Sequence, residues 1–571
     1  MLPVLDNEAM READRHTIED LGVPGLDLME NAAAGVVDAL RDSFPKVRRI
    51  LILCGRGNNG GDGLAAARLL AGGGLEIKLL LFADPEKLSP DAAKNFRRAE
   101  TAAVPMVIVE GEDLSALDAE LATNPPELVV DALLGTGIDR PLGGRLAEVV
   151  HRIEAAGLPV IAVDVPTGLS GSSSRVPGPT MPAELTVSFA ALKHCHVLPP
   201  ACLHCGEVAV VDIGIPPTVV ESGSWLRWVE AEDAALLLPH RQTTSHKGTF
   251  GHLLLVAGAE GRGGAVAMAA QAAVVSGSGL VTMAVPKPAV PVVDVACLEA
   301  MTHPMAADDR GQMAGPDGLD ELMNRMTAVA IGPGMGTGNG AAATLEWILD
   351  NWKGSLLLDA DAINLLAGRP ERLAGREQPP VLTPHPGERA RVLGRNIEDV
   401  VSDRVATAKE AAERARAVVV AKGFRTVIAD PDGEVFINST GDAGLASGGS
   451  GDILTGTIGA FLAQGLDPVL AAIVGCWLHG RAGELGGQEW PAAVPASTLP
   501  ILIAEAWNEL EEWCFLSKGP PAIVPRLTRM PAAICPPVCG LQSWFCWRAS
   551  SRPERRPSCA GSSKASGAIP I

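Results

Sequence analysis

A glycine- and serine-rich segment runs directly into a carboxylate at residues 446–456, where the sequence reads ASGGSGDILTG. Glycines let a backbone approach a ligand closely, and the first amides of a helix carry free donors and a partial positive charge. An apolar, helix-competent run follows through Ile458 and Leu462. The pattern predicts an anion site at a helix start, with Asp452 beside it for proton transfer. A turn that binds nothing is the alternative, which the density of glycine disfavours.

Polar residues also follow three apolar segments in the first third of the chain. A loop at 55–63, with the sequence GRGNNGGDG, comes directly after Arg49–Cys54, and two further apolar segments end in Asp131 and Asp164. A single aspartate at a strand end is usually a cap or a turn residue. Two of them beside one glycine loop indicate a site, because open α/β sheets bind ligands at the carboxyl edge of their strands. Oxygens that could hold a cation or a ribose are added by Asn58, Asn59 and Asp62.

Short apolar segments alternate with helix-competent segments along most of the chain, which predicts an α/β fold with parallel sheets. Proline and small polar residues at 216–224 place a boundary near 220–240. We therefore expect a doubly wound, Rossmann-like domain over 1–220 and a second α/β domain over 225–512. Predicted strands include Arg49–Cys54, Glu76–Phe82, Val160–Asp164, Ala328–Ile331 and a hairpin of Val427–Ala429 with Val435–Asn438 across Asp432-Gly433.

Length and charge restrict the class of protein. A chain of 571 residues is too long for one core. Its formal charge of −20 argues against a nucleic-acid-binding protein. No apolar run is long enough to span a bilayer, and residues 1–14 lack the apolar core of a signal peptide. We therefore expect a cytoplasmic protein without a membrane partner.

The cysteines offer one candidate metal site. Cys202 and Cys205 form a C-x-x-C pair, with Cys195 and three histidines nearby. Such a group could bind zinc. No second pair at a familiar spacing accompanies it, which favours reduced, structural thiols.

The first unit resembles the NAD(P)H-hydrate epimerase family over about residues 1–220. The resemblance rests on GNNGGDG at 57–63, DALLGTG at 131–137 and DVPTG at 164–168. It implies epimerisation of the hydroxyl-bearing carbon of hydrated NADH or NADPH, with Asp164 as the carboxylate that handles protons. It also implies a potassium ion held by Asn59, Asp131 and Thr167, where the family often has serine at the last position. The implied dinucleotide contacts are Asn58, Asn59, Gly60, Gly61, Asp62, Gly135, Thr136, Gly137, Ile138, Asp139, Arg140, Pro141 and Asp164.

The second unit resembles the NAD(P)H-hydrate dehydratase branch of the ribokinase-like superfamily. The motifs are KGTFG at 247–251, GPGMG at 332–336, DADAIN at 359–364, LTPHPGE at 382–388 and GGSGD at 448–452. The resemblance implies a ribokinase-like fold and ADP-driven dehydration of the S-form hydrate, giving AMP and phosphate. Asp452 would then be the base that activates the hydroxyl. The implied contacts are Ala265, Gly334, His385 and Asp452 for the hydrate, and Lys422, Gly423, Phe424, Arg425, Thr426 and Gly451 for the nucleotide.

Several questions stay open at this point. Asp359 and Asp361 are candidates for reaching a magnesium ion that accompanies ADP, or they cap a strand-to-helix turn. A ribokinase-like kinase of a small vitamin precursor is the alternative enzyme, and a binding module is the alternative for the first unit. The choices between ADP and ATP and between NADH hydrate and NADPH hydrate are not settled, and self-association is an expectation from relatives. Residues 514–571 are predicted to be a disordered, atypical tail.

Overall fold

A computed structural model describes residues 1–136, 140–516 and 528–529. Within these residues the strands form two sheets. In chain order the strands are β1 (Leu2–Leu5), β2 (Arg49–Cys54), β3 (Glu76–Leu81), β4 (Met106–Ile108), β5 (Leu128–Ala132), β6 (Val160–Val163), β7 (Leu185–Phe189), β8 (Leu192–Lys193), β9 (Glu207–Val211), β10 (Leu226–Val229), β11 (His252–Val256), β12 (Leu280–Pro286), β13 (Met301–Met305), β14 (Ala328–Ile331), β15 (Ser355–Leu358), β16 (Val381–Leu382), β17 (Val418–Ala421), β18 (Val427–Ala429), β19 (Val435–Asn438) and β20 (Thr528–Arg529).

Helices connect most of the strands, as expected for parallel sheets. They are α1 (Asn7–Arg15), α2 (Gly25–Ser43), α3 (Asn58–Leu70), α4 (Pro90–Thr101), α5 (Ser115–Thr123), α6 (Gly144–Ala156), α7 (His194–Val197), α8 (Pro217–Ser222), α9 (Ala231–Leu236), α10 (Gly263–Val275), α11 (Val290–Ala296), α12 (Leu319–Met323), α13 (Asn339–Asn351), α14 (Asp361–Leu365), α15 (Pro386–Leu393), α16 (Ile397–Ser402), α17 (Arg404–Ala415), α18 (Ser450–Ala463), α19 (Pro468–Glu489) and α20 (Leu499–Leu516).

The smaller sheet has the strand order β20-β9-β7-β6-β5-β2-β3-β4 and is parallel except where β20 joins β9. Alternate residues of β2 point to opposite faces. Ile50 and Ile52 join the core formed with α2 and α3, whereas Leu51 and Leu53 join a separate core on the other face. Both faces are therefore covered, as the near-continuous apolar sequence of this strand requires. The predicted doubly wound architecture is confirmed.

The larger sheet has the order β13-β12-β11-β14-β15-β16-β17-β18-β19-β10-β1-β8. Its strands from β13 to β17 are parallel, and β18 runs antiparallel to both β17 and β19. The predicted hairpin is thus present. Leu253 and Leu255 of β11 enter one core, while Leu254 and Val256 enter the other.

The N-terminal strand β1 links the two halves of the chain. Leu2 lies opposite Trp228 in an antiparallel pairing with β10, and Leu5 lies opposite Lys193 in a parallel pairing with β8. Val4 is 2% exposed and packs in the same core as Trp228 and Val419. The boundary near 220–240 stays a prediction, and backbone pairing and a shared core join residues on either side of it.

Two sequence predictions need correction just after strand ends. The glycine loop at 55–63 is short, because α3 already begins at Asn58, where the sequence suggested a helix from Leu64. Asp164 lies just beyond β6 and has φ +63°, so it is a turn residue and not the last strand residue. Among the described residues, no helix is both long and apolar enough to cross a membrane.

Candidate active sites

The start of α3 is pressed against the neighbouring strand ends. A Cβ atom on Gly55 would lie 1.8 Å from the carbonyl oxygen of Leu133, and one on Gly60 would lie 2.0 Å from the carbonyl oxygen of Gly55. These glycines are therefore needed for close backbone approach. The packing brings Asn59 and Asp62 on α3 to the carboxyl edge of the sheet, where Asp131 lies.

Asp131 and Thr167 form a buried polar pair at this edge. The Asp131 carboxylate accepts the hydroxyl of Thr167 at 2.7 Å, the Thr167 amide at 2.8 Å and the Leu133 amide at 3.2 Å. Burial raises the pKa of Asp131 to about 6, although the bonds from Thr167 act in the opposite direction. Asp131 carries no cationic side-chain partner among the described residues, so a bound cation would stabilise its ionised form.

Asn59 completes the oxygen-rich group predicted to hold potassium. Its amide lies against Gly135, where a Cβ atom would be 3.3 Å from Asn59 Oδ1. Asn59 Nδ2 is buried and lacks a hydrogen-bond partner. Amide oxygen and nitrogen are interchangeable by rotation, so this unsatisfied edge can present an oxygen to a cation. With Asp131 and the Thr167 hydroxyl, the donor set fits a hard cation.

Asp164 has a partner that the sequence did not reveal. Its Oδ1 accepts the Phe189 amide at 3.2 Å and the ammonium group of Lys193. Asp14 of α1 also lies within electrostatic range of Asp164 and Lys193, and burial raises the pKa of Asp14 to about 6. Lys193 follows no glycine loop, so no local sequence signal identified it.

Three of the other predicted dinucleotide contacts, Asn58, Gly61 and Pro141, have neighbours within the same unit. Asn58 is exposed and accepts the Ser89 hydroxyl at 2.7 Å. Gly61 packs against Met29, and Pro141 lies near Gly178. Three predicted contacts, Gly137, Ile138 and Asp139, lie outside the described residues, between the half-buried Thr136 and the exposed Arg140.

The second site lies at the start of α18. Gly449 has φ +93° and precedes the helix, which begins at Ser450, so Asp452 lies in the first turn. A Cβ atom on Gly451 would lie 3.5 Å from Lys422 Nζ, which places this ammonium group beside the free amides of the helix start. The arrangement concentrates positive potential where an anion would bind.

Two carboxylates near Lys422 differ in how they are held: among the described residues, Asp359 is hydrogen-bonded on its side chain, and Asp452 is not. Asp359 is 2% exposed and accepts Lys422 Nζ at 2.9 Å, the Thr383 hydroxyl at 2.7 Å and the Thr455 hydroxyl at 2.8 Å. Asp452 has no side-chain hydrogen bond within the described structure. Burial raises the pKa of Asp452 to about 6, Asp359 acts in the same direction and Lys422 opposes both. An open carboxyl that titrates near neutrality suits a general base.

Lys422 stays cationic in this environment. Burial alone would lower the pKa of Lys422, but Asp359, Glu388 and Asp452 more than offset it, so the pKa is raised. The ammonium group is therefore a stable positive charge next to the predicted phosphate position.

His385 caps α15 and is held from both sides of its ring. Nδ1 accepts the Gly387 amide at 3.0 Å, and Nε2 lies 3.1 Å from Glu388 Oε1. Burial, followed by the charges of Lys422 and Arg391, lowers the pKa of His385. A neutral ring with its proton on Nε2 satisfies both contacts, and half of the side chain remains exposed toward solvent.

Ala265 and Gly334, both predicted hydrate contacts, lie next to each other. A Cβ atom on Gly334 would lie 3.2 Å from the Ala265 side chain. The predicted nucleotide segment 422–426 is more constrained than expected. Arg425 is 6% exposed, and its guanidinium stacks 4.6 Å from the Trp228 ring centroid. Its side chain is thus committed to packing, whereas Phe424, another predicted nucleotide contact, is 39% exposed.

Comparison with known proteins then identifies the family. The family model described as NAD(P)H-hydrate dehydratase matches residues 253–504, and the model described as YjeF-related protein N-terminus matches residues 25–195. The bifunctional NAD(P)H-hydrate repair enzyme Nnr of Moorella thermoacetica is 39% identical over 511 residues, covering 88% of this chain and 96% of that protein. The Nnr of Escherichia coli is 34% identical over 476 residues, covering 83% and 88%. This chain belongs to the bifunctional NAD(P)H-hydrate repair enzyme family.

A solved structure is similar to the second half. The ADP/ATP-dependent NAD(P)H-hydrate dehydratase of Bacillus subtilis, co-crystallised with ATP and Mg²⁺, is 32% identical, with a TM-score of 0.44, and covers 50% of this chain and 98% of that one. Membership of the Nnr family confirms both resemblances drawn from the motifs and the prediction of a two-activity enzyme. It also separates this chain from the vitamin-precursor kinases.

The two candidate magnesium ligands of this Nnr family member, Asp359 and Asp361, have different surroundings. Asp359 has three donors on its carboxylate, and Asp361 accepts the Gly336 amide at 2.8 Å and lies 3.6 Å from Arg262. The Asp359 side chain is 2% exposed and that of Asp361 is 20% exposed, so Asp361 is the more accessible of the two candidates for a magnesium ion. Neither acts as the simple helix cap that was the alternative.

The group of possible metal ligands in the structure includes only one cysteine of the C-x-x-C pair, Cys205. Donor atoms of Cys195, His196 and Cys205 lie within 4.8 Å of one another and are buried, and Cys202 is not in this group. His196 Nδ1 accepts the Lys193 amide at 3.1 Å. A neutral ring therefore carries its proton on Nε2, the nitrogen left for a metal. Zinc-binding histidines normally donate from the second nitrogen, so this contact favours a structural cluster.

Proposed function

We propose that this enzyme repairs hydrated NADH and NADPH in two steps on one chain. The first half interconverts the R- and S-forms of the hydrate. The second half uses ADP to dehydrate the S-form, releasing AMP and phosphate and regenerating the dihydronicotinamide. The observation that carries the proposal is the pairing of the two carboxylate-bearing sites, around Asp164 and Asp452, in a chain of the bifunctional family.

In the dehydratase site, Asp452 is the base that removes the proton from the substrate hydroxyl as it attacks the terminal phosphate. The backbone amides of Gly449 to Gly451 and the Lys422 ammonium then stabilise the charge of the transferring group. Phosphorylation makes the oxygen a good leaving group, and elimination restores the ring double bond. Asp452 is suited to this role because its carboxyl is open and titrates near neutrality.

The remaining predicted contacts fit around this step. Ala265, Gly334 and His385 would border the hydrate, since small residues at the first two positions leave room for a ring. Lys422 to Thr426 and Gly451 would border the nucleotide. A magnesium ion would accompany the phosphates of ADP, with Asp361 as a candidate carboxylate ligand.

In the epimerase site, Asn59, Asp131 and Thr167 would hold potassium. The ion would supply positive charge beside the buried Asp131 and order the loops that follow β5 and β6. Among the described residues, the predicted dinucleotide contacts from Asn58 to Asp62 and Gly135, Thr136, Arg140 and Pro141 would flank this position. A cytoplasmic location and self-association remain predictions.

The test is recovery of the dihydronicotinamide absorbance from purified S-form hydrate, with ADP or ATP in separate reactions containing magnesium. We expect recovery with ADP, accompanied by inorganic phosphate, and expect Asp452→Asn to abolish it. Repeating the assay with the R-form and potassium tests the first half. A stable phosphorylated product with no absorbance gain would contradict the dehydratase assignment and indicate a kinase.

A further inference from the structure

Lys193 places a fully buried ammonium group behind the epimerase site. The residue is 0% exposed and donates to three acceptors: the Asp164 carboxylate, the Ser188 hydroxyl at 3.0 Å and the Phe189 carbonyl at 2.9 Å. All three protons of the ammonium group are therefore used. A charge buried this completely is costly unless it is paired, so the position of Lys193 is firmly set by its partners.

Asp164 is fixed on one oxygen and open on the other. Oδ1 accepts both Lys193 and the Phe189 amide, whereas Oδ2 accepts no hydrogen bond from the described residues. The backbone at Asp164 has φ +63°, a conformation that a non-glycine residue adopts only where its surroundings require it. The side chain retains 12% exposure. Oδ2 is thus the oxygen of Asp164 that remains available to a substrate proton.

Asp62 lies across the same edge without a cation of its own. It is 7% exposed, sits in the first turns of α3, and has no side-chain hydrogen bond in the described part of the chain. Its helix contacts β6, the strand that leads into Asp164. Burial raises the pKa of Asp62 well above its ordinary value, and the charges of Asp164 and Asp14 add to this effect. The Cys54 thiol, which also faces Asp62, is held neutral by burial, which raises its pKa.

We propose that Asp62 and Asp164 act as the acid and the base of epimerisation, and that Lys193 is the positioning residue that assigns the two roles. This inference rests on the proposed epimerase function and names its proton carriers. Two carboxyls in one site take different roles when only one of them is paired with a cation. Lys193 supplies that difference by pairing with Asp164 and leaving Asp62 without a partner.

The hydrate is a hemiaminal, in which the hydroxyl-bearing carbon is bonded to the ring nitrogen. Protonated Asp62 gives its proton to the hydroxyl group, the C–O bond breaks, and water departs as the nitrogen lone pair forms a C=N bond. The carbon is then planar. Water adds to the opposite face, the C–O bond re-forms, and Asp164 accepts the released proton. Transfer of this proton back to Asp62 through water completes the cycle, with no net oxidation or reduction.

Asp62→Asn tests the acid with little change in shape. We expect the rate of R-to-S conversion near pH 7.5 to fall about 100-fold or more. The remaining rate should rise in proportion to proton concentration as the pH is lowered, because solvent must replace the lost acid. Asp38→Asn, which alters an exposed carboxylate on α2, is the matched control and should retain the wild-type profile. A rate within threefold of wild type in Asp62→Asn would overturn the assignment.

Lys193→Met tests the positioning role. Without the ammonium group, Asp164 should take up a proton at higher pH, so the pH below which epimerisation fails should move upward by about one unit or more. Dehydration of purified S-form hydrate by the same variant reports whether the rest of the chain is folded. An unchanged acid limb would exclude the positioning role.

The wild-type enzyme provides a measurement that needs no variant. In ¹⁸O-labelled water, each inversion should introduce one labelled oxygen into the hydrate. Inversion without label would overturn the C–O cleavage step. These outcomes differ from failure of the proposed function itself, in which the wild-type enzyme would not accelerate R-to-S conversion at all.

Discussion

The pKa of Asp452 is set by opposing effects of its surroundings. Burial and Asp359 raise its pKa to about 6, while Lys422 opposes them. The base must be ionised to act, so we expect the dehydration rate on S-form hydrate to fall as the pH drops through about 6. A pH–rate profile with saturating ADP measures this. A rate that stays constant from pH 7.5 down to pH 5 would contradict the role of Asp452 as base.

The same shift has a consequence for stability. The folded-state pKa of Asp452 exceeds its unfolded value, so ionisation opposes folding, and stability is lost as the pH rises from about 4 to about 6. We expect Asp452→Asn to increase the free energy of unfolding by about 1–2 kcal/mol at pH 8 and to leave it unchanged near pH 3.5. Urea unfolding at both pH values checks this. Equal effects at the two pH values would exclude a charge-based explanation.

Thr167 makes the clearest prediction for the potassium group. Thr167→Val keeps the shape but removes the hydroxyl that donates to Asp131 at 2.7 Å. We expect a loss of about 1–3 kcal/mol of stability and a requirement for more potassium in epimerisation. Thr167→Ser, which keeps the hydroxyl, is the control and should behave like wild type. Equal potassium dependence in the valine and serine variants would remove Thr167 from the ion site.

For single residues, the sequence indicated candidates that belong to local motifs, and it missed a residue that is far from its partner in the sequence. Asp164, Asp452, Lys422 and His385 were found because each lies in a local pattern of glycine, proline or charge. Lys193 lies 29 residues from Asp164 in a segment with no such pattern, and only the fold joins them. The sequence also could not decide whether Asp359 binds magnesium or caps a turn, because its hydrogen-bond donors come from three separate parts of the chain.

Small residues recur in helices α10 and α18 because the two helices pack very closely against each other. A Cβ atom on Gly456 would lie 1.9 Å from the Ala269 carbonyl oxygen, so the two helices cannot separate enough to admit even alanine. We expect Gly456→Ala to lower the free energy of unfolding by about 2–3 kcal/mol and to reduce dehydration, because α18 carries Asp452. Thermal unfolding and the dehydration assay measure the two effects.

The matched control is Gly264→Ala on α10, where nothing lies within 4 Å of the added atom. This change should be neutral or stabilise the helix by up to about 1 kcal/mol. A Gly456→Ala variant as stable as Gly264→Ala would contradict the close packing of α10 and α18.

Strand prediction succeeded where burial on both faces leaves a continuous apolar run. Arg49–Cys54, Ala328–Ile331, Val427–Ala429 and Val435–Asn438 were predicted with the bounds that the structure has. β1 was missed because it has four residues and contains a proline, which is usual only at edges and strand starts. The start of α3 was missed because its first turns are rich in glycine, a poor helix former.

For the whole molecule, the shared core is the feature that the sequence did not predict. Val4 and Leu192 from the first segment pack with Trp228 and Val419 from the second. We expect segments 1–220 and 225–512, produced separately, to unfold at lower temperatures than in the intact chain. Scanning calorimetry of the three proteins measures this. Two separate segments as stable as the intact chain would show that the contact is energetically neutral.

Strand β1 also imposes an order on the growing chain. The Val4 amide donates a hydrogen bond to the hydroxyl of Ser224, which is synthesised 220 residues later. At a synthesis rate of about 5–20 residues per second, the strand waits roughly 10–45 s for the segment it pairs with. During translation β1 therefore stays without β10 for that time, and the two halves of the chain can join through this strand only after β10 has left the ribosome.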